Sequence, residues 1–78
     1  MLESRAEKDL GRLEHSMYKR VSDQLLKLKE NPRHNAKKLQ DPKNIWRIRI
    51  SDWRVVYEID DRKKEVRIYR VKHRSQVY

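Results

Sequence analysis

The segment IWRIRISDWRVVYEID, residues 45 to 60, places Arg47, Arg49 and Arg54 inside the most strand-like stretch of the chain. Strands built only for stability carry Val, Ile, Thr and aromatics, with polar residues on the wet face. Three guanidinium groups close together on one face repel each other, so that face meets either an anion or plain solvent. Guanidinium grips phosphate through planar, bidentate hydrogen bonds, and a nearby aromatic such as Tyr69 can stack on a base. The combination fits single-stranded RNA. The tail KHRSQVY, residues 72 to 78, adds His73, a residue type suited to acid–base work, and Tyr78. RNA cleavage by 2′-hydroxyl attack needs a base for that hydroxyl, cationic stabilisation of the phosphorane, and an acid for the leaving 5′-oxygen. His73 or Tyr78 can act as acid or base, while Arg47, Arg49 and Arg54 stabilise charge. A solvated arginine face with an idle surface histidine is the alternative reading. Two-metal carboxylate clusters, glycine-rich phosphate loops and serine nucleophile motifs are all missing from the sequence, which has 1 glycine.

The elements that must position these groups belong to a short chain. Its 78 residues are expected to form a single domain, 1–78, burying only ~60% of the unfolded surface. There is no cysteine, hence no disulfide framework, thiolate zinc site or catalytic thiol, which fits a reducing, intracellular setting. No apolar run approaches the ~18 residues a membrane span needs, and the N-terminus lacks a signal-peptide core. Charge is uneven. Up to Pro32 there are 7 basic and 6 acidic side chains, a balance of +1; from Arg33 onward there are 14 and 6, a balance of +8. That asymmetry points to a polyanionic partner, nucleic acid first, although an acidic protein could use the same surface.

Ala6, Leu10, Leu13, Met17, Val21, Leu25 and Leu28 recur at steps of three and four, the stripe of amphipathic helix. Ser4 and Glu7 have the form of a capping box. Gly11 and His15-Ser16 interrupt the stripe, so the expectation is a helical hairpin over roughly 4–14 and 17–30, ended by Asn31-Pro32. Residues 31–44 read as a loop. The period then becomes two, in three runs around Trp46–Ile50, Trp53–Ile59 and Val66–Tyr69, with turns at Ser51-Asp52 and across Asp60–Lys63.

One register satisfies these runs. It pairs Ile50 with Trp53, Ile48 with Val55 and Trp46 with Tyr57, then Ile59 with Val66 and Tyr57 with Ile68. On the opposite face it pairs Arg49 with Arg54, Arg47 with Val56, Glu58 with Arg67 and Val56 with Tyr69. A slip of one residue would send every apolar group to the wrong side. The expected fold class is therefore α+β, an N-terminal helical hairpin packed on one face of a small antiparallel β-sheet. The helices cover Trp46, Ile48, Val55, Tyr57 and Ile68, and the other face stays open.

Taken in order, ENPR (30–33), KKLQ (37–40), WRIRI (46–50), DWRVVYEID (52–60), IYRV (68–71) and HRSQVY (73–78) resemble the RelE/ParE superfamily of toxins from toxin–antitoxin pairs. SRAEKDLGRLE is similar to that family's first helix. The resemblance implies a RelE-like fold and a small cytoplasmic toxin that a cognate acidic antitoxin neutralises. For the RelE branch it implies cleavage of mRNA in the ribosomal A site, without metal or cofactor, leaving a 2′,3′-cyclic phosphate. Carried over by position, the catalytic set is Arg47, Arg49, Arg54, His73 or Arg74, and Tyr78. Lys37, Lys38, Tyr69 and Lys72 complete the expected RNA-contacting surface. Where the best-known RelE type has lysines, this chain has Arg47 and Arg49, poor general bases, so that role moves to His73 or Tyr78. The family begins with a strand, of which only Met1-Leu2-Glu3 remain, so a truncated first strand is expected. Two further functions fit the resemblance: a ParE-like inhibitor of DNA gyrase, and a non-catalytic relative that only binds antitoxin or RNA.

Overall fold

The apolar stripe folds as read, in two helices, α1 (Ser4–Gly11) and α2 (His15–Glu30). A computed structural model describes residues 2–40 and 44–77. Ala6, Leu10, Val21 and Leu28 are buried, and Leu13, Met17 and Leu25 pack against them. The expected capping box does not form. Glu3 is the N-cap of α1 and makes no side-chain cap, while Ser4 is already the first helical residue. The first turn is closed instead by the Glu7 amide donating to the Glu3 carbonyl at 3.0 Å. No helix among the described residues is long and apolar enough to cross a membrane.

Four antiparallel strands follow, β1 (Ala36–Gln40), β2 (Ile45–Ile50), β3 (Trp53–Asp60) and β4 (Glu65–His73), in the spatial order of the chain. A short α3 (Arg74–Val77) ends the described chain. The β2–β3 register is the expected one throughout, from Ile50 opposite Trp53 to Trp46 opposite Tyr57. β1 corrects the loop expected at 31–44. AKKLQ lacks β-branched residues, and it forms an edge strand whose lysines discourage further pairing. Ala36 stands opposite Ile48, Lys37 opposite Arg47 and Lys38 opposite Trp46.

The β3–β4 register needs the second correction. Ile59–Val66, Glu58–Arg67 and Tyr57–Ile68 pair as expected, but Val56 meets Arg70, not Tyr69. Tyr69 is the extra residue of a β-bulge, and beyond it Val55 faces Val71, Arg54 faces Lys72 and Trp53 faces His73. The core lies under the helices: Ile48, Ile50, Val55, Tyr57, Ile59, Ile68 and Val71 are buried. Trp46, expected in this core, is only half-buried. At the outer edge of β4, Leu2 makes a single parallel bridge to Ile68, and the Glu3 amide donates to the Ile68 carbonyl at 2.9 Å.

Candidate functional site

The face away from the helices is organised in rungs across the strands. One rung carries Arg49, Arg54 and Lys72, contributed by β2, β3 and β4. The next carries Lys37 and Arg47, followed by Val56; Arg70 stands opposite Val56, but its guanidinium is bound to Asp9 of α1. The turn that joins β2 to β3 holds the first rung in place. Ser51 takes a left-handed backbone, φ 56°. Its carbonyl accepts from Arg49 Nε at 3.4 Å and from Arg54 Nη1 at 3.3 Å, and Arg54 Nη1 also reaches the Trp53 carbonyl at 3.2 Å. These carbonyl dipoles offset part of a like-charge pairing that sheets otherwise avoid.

The cations crowd each other. Partial burial, then the charges of Arg49, Arg47 and Arg74, lower the Arg54 pKa, with Asp52 opposing them. A guanidinium starts so high that it stays charged. Arg74 joins the cluster through the chain path. Its amide donates to the Asp52 carbonyl at 2.7 Å, and its Nε lies 3.8 Å from the Asp52 carboxylate. The end of β4 is thereby pinned to the β2–β3 turn.

Two expected site residues stand elsewhere. His73 pairs with Trp53, on the core side of the ladder, and its ring meets the indole edge-on with centroids 5.2 Å apart. Its Nδ1 lies 2.9 Å from Ser75 Oγ and accepts from the Ser75 amide at 3.3 Å. Lys38 also faces the core side, with Nζ 5.9 Å from the centroid of the Trp46 ring that Arg33 covers at 5.5 Å. The side-chain period of two separates each from its neighbour Lys72 or Lys37. Tyr69 is half-buried at the bulge and donates its hydroxyl to Glu58. That hydrogen bond, aided by burial and opposed by Arg67, raises the Tyr69 pKa. Tyr78 lies outside the described residues.

Sequence reasoning did not find the alignment of Lys72 with Arg54, because it carried the ladder past Ile68 without a bulge. The signal was present: Ile68 and Val71 are three apart where inward residues of one strand should be two apart.

A helical hairpin over one sheet face, with cations ranked across the other, matches the fold expected from the resemblance to the RelE/ParE group. The chain belongs to that group's ParE toxin family of type II toxin–antitoxin systems (parDE), whose profile matches residues 1–78. Solved structures agree. The RelBE2 toxin–antitoxin complex of Mycobacterium tuberculosis is similar at 27% identity, covering 94% of this chain and 93% of that one, with a TM-score of 0.84. The intact E. coli RelBE complex is similar at 26% identity, covering 92% and 90%, with a TM-score of 0.80. The isolated E. coli RelE toxin gives 27% identity, 92% and 79% coverage and a TM-score of 0.79. A search of the curated proteins gives no match.

Proposed function

We propose that this chain is a RelE-type toxin, a ribosome-dependent endoribonuclease that cleaves mRNA in the A site and so stops translation in the cytoplasm. The observation that carries the reading is the rung Arg49–Arg54–Lys72, flanked by Arg47 and Arg74. In the reaction the 2′-oxygen attacks the adjacent phosphorus and loses its proton to a base. The P–O5′ bond then breaks, and the leaving oxygen takes a proton from an acid. The products are a 2′,3′-cyclic phosphate and a 5′-hydroxyl. Arg47, Arg49 and Arg54 supply charge to the phosphorane, where fixed donors are worth most. Tyr78 is the candidate for proton transfer, with Arg74 adding positive charge; His73, which stands on the Trp53 side of the ladder, is the alternative. Lys37, Lys72 and Tyr69 hold the strand on the sheet, whereas Lys38, over the Trp46 ring on the other side of β1, lies off that path. No step in this scheme calls on a metal or cofactor.

Primer extension on a message translated in vitro tests the proposal. New stops at A-site codons, lost with Arg54→Ala, support it; an intact message with normal translation refutes it. The ParE family match supports a second reading, gyrase inhibition, which a supercoiling assay detects directly. Intact message together with unaltered supercoiling leaves binding as the only activity.

A groove of about 370 Å³ between α2 and the outer edge of β4 supports the antitoxin partner. Leu2, Tyr18, Leu25, Leu26, Val66 and Ile68 line it, with Lys29 at the rim. Three of these are large apolar side chains left in the open: Leu2 at 38%, Tyr18 at 46% and Leu26 at 61% exposure. On a chain of net charge +9, the matching occupant is an amphipathic segment of an acidic antitoxin. Its affinity should fall as salt rises and should be lost in Leu26→Glu; salt-insensitive binding counts against this partner.

A further inference from the structure

Asp9 is the only buried charged side chain among the described residues, at 8% exposure, and its position is unusual. It sits on α1, yet its carboxylate bonds β4 from 62 positions away in sequence. Oδ2 accepts from the Val71 amide at 2.9 Å and from Arg70 Nε at 2.8 Å, and Oδ1 accepts from Arg70 Nη2 at 3.1 Å. The three donors lie immediately after the bulge residue Tyr69. A bulge interrupts the ladder, and an amide at a sheet edge otherwise has no strand to receive it. Asp9 takes the place of that missing strand.

The register shows what the bulge achieves. Continuing the ladder from Tyr57–Ile68 without an extra residue would set Tyr69 opposite Val56, Arg70 opposite Val55 and Val71 opposite Arg54. The first clash would be a guanidinium against Val55, which is fully buried. With the bulge, Val71 enters the core and Lys72 becomes the third cation of the Arg49–Arg54 rung. Burial of Val71 favours the bulge from inside, and Asp9 fastens it from the edge. Arg12, Lys72 and Trp53 border the same small recess as Asp9, so the tie lies beside the residue it places.

We propose that Asp9 is a positioning residue: from α1 it fastens the β4 bulge and so holds Lys72 in register with Arg54 on the cationic face. Its consequence for RNA rests on the function proposed above, whereas the register itself does not.

Two measurements on the full chain therefore go together. In NMR of Asp9→Ala, the cross-strand contact between Arg54 and Lys72 should be lost while that between Glu58 and Arg67, before the bulge, persists. If Asp9→Ala does not fold, Asp9→Asn is read the same way; it is isosteric but has no charge and only one acceptor oxygen, so it cannot keep the two-oxygen ion pair with Arg70. A folded variant that keeps the Arg54–Lys72 contact overturns the proposal. The second measurement is a double-mutant cycle with Lys72→Ala, following the salt dependence of binding to a single-stranded RNA oligonucleotide. Losing one phosphate contact should reduce the slope of log affinity against log salt by about 1. Asp9→Ala should produce that loss when Lys72 is present and none when it is absent. Release of Arg70 would act in both backgrounds and cancels in the cycle. Equal effects in both backgrounds overturn the proposal. If the wild type binds no RNA, it is the proposed function that fails, and the NMR arm alone decides the role of Asp9.

Discussion

The two faces of the sheet share one backbone and obey opposite rules. On the covered face, Ile48, Val55 and Val71 form a rung that is at most 6% exposed. One residue along, Arg49, Arg54 and Lys72 form a rung of like charges. The covered rung is where exclusion of apolar surface from water stabilises the fold. The cationic rung contributes repulsion, offset by turn carbonyls and solvent. Stability and the proposed function are thus separated by the alternation of side chains along a strand, and a substitution should affect one with little effect on the other.

The separation can be broken most forcefully at Tyr57. This side chain is fully buried and its hydroxyl donates to the Pro32 carbonyl at 2.5 Å. Burial pushes its pKa up to about 12, against a smaller opposing effect of Arg33, so it stays a neutral donor. Tyr57→Ala is expected to cost roughly 3–5 kcal/mol in urea unfolding. Trp46→Ala should cost less, because that ring is half-exposed and capped by two cations.

Across the ladder, Arg54→Ala should behave in reverse. Unfolding free energy should change by no more than about 0.5 kcal/mol, as for most surface positions. Cleavage of a translated message should fall by about a hundredfold, the usual loss when one preorganised donor is removed. A variant that unfolds would show that Arg54 belongs to the core side after all.

Asp9 should show an intermediate effect with a distinctive pH dependence. Burial alone would raise its pKa, but the hydrogen bonds from Arg70 and Val71, with the charges of Arg70 and Lys72, lower it overall. A carboxylate depressed in the folded state stabilises fully above its unfolded value of about 3.9, and loses that contribution as pH falls through the folded value. Asp9→Asn is expected to destabilise by about 2 kcal/mol at pH 7, short of the value for a fully buried pair because Arg70 is partly wet. The difference from wild type should shrink below about pH 4, which urea titrations at pH 7 and pH 3 would reveal. A constant difference would place the effect in packing.

The smallest change should come from the exposed pair of Arg33 and Asp61, 3.0 Å apart. Asp61→Ala should alter stability by at most about 0.5 kcal/mol, and less at high salt. A larger loss in thermal unfolding would mean that the 31–35 segment depends on this pair as well as on Tyr57.

Much of this was legible in the residues because it depends on local periodicity. The helical stripe, the Ser51-Asp52 turn and the common face of Arg47, Arg49 and Arg54 follow from the positions of apolar side chains at steps of three or four, or of two. Neighbours in one strand cannot change that pattern without exposing the core. What the residues did not disclose depends on groups far away in the chain. β1 has no strand composition of its own and exists because β2 offers it an edge. The capping box fails because the chain before Ser4 is drawn toward Ile68. His73 and Lys38 fall on the core side because register and bulge assign faces residue by residue.

By itself, then, the sequence determined the two layers, the β2–β3 pairing and three arginines on one surface, since hydrophobic burial at a fixed period leaves a single register. That Lys72 joins them was decided by the tertiary structure, at a bulge that the three-residue step from Ile68 to Val71 marks but does not fasten. The bulge that turns it outward is held by a carboxylate on the first helix, and no local pattern encodes a bond between residues 9 and 71.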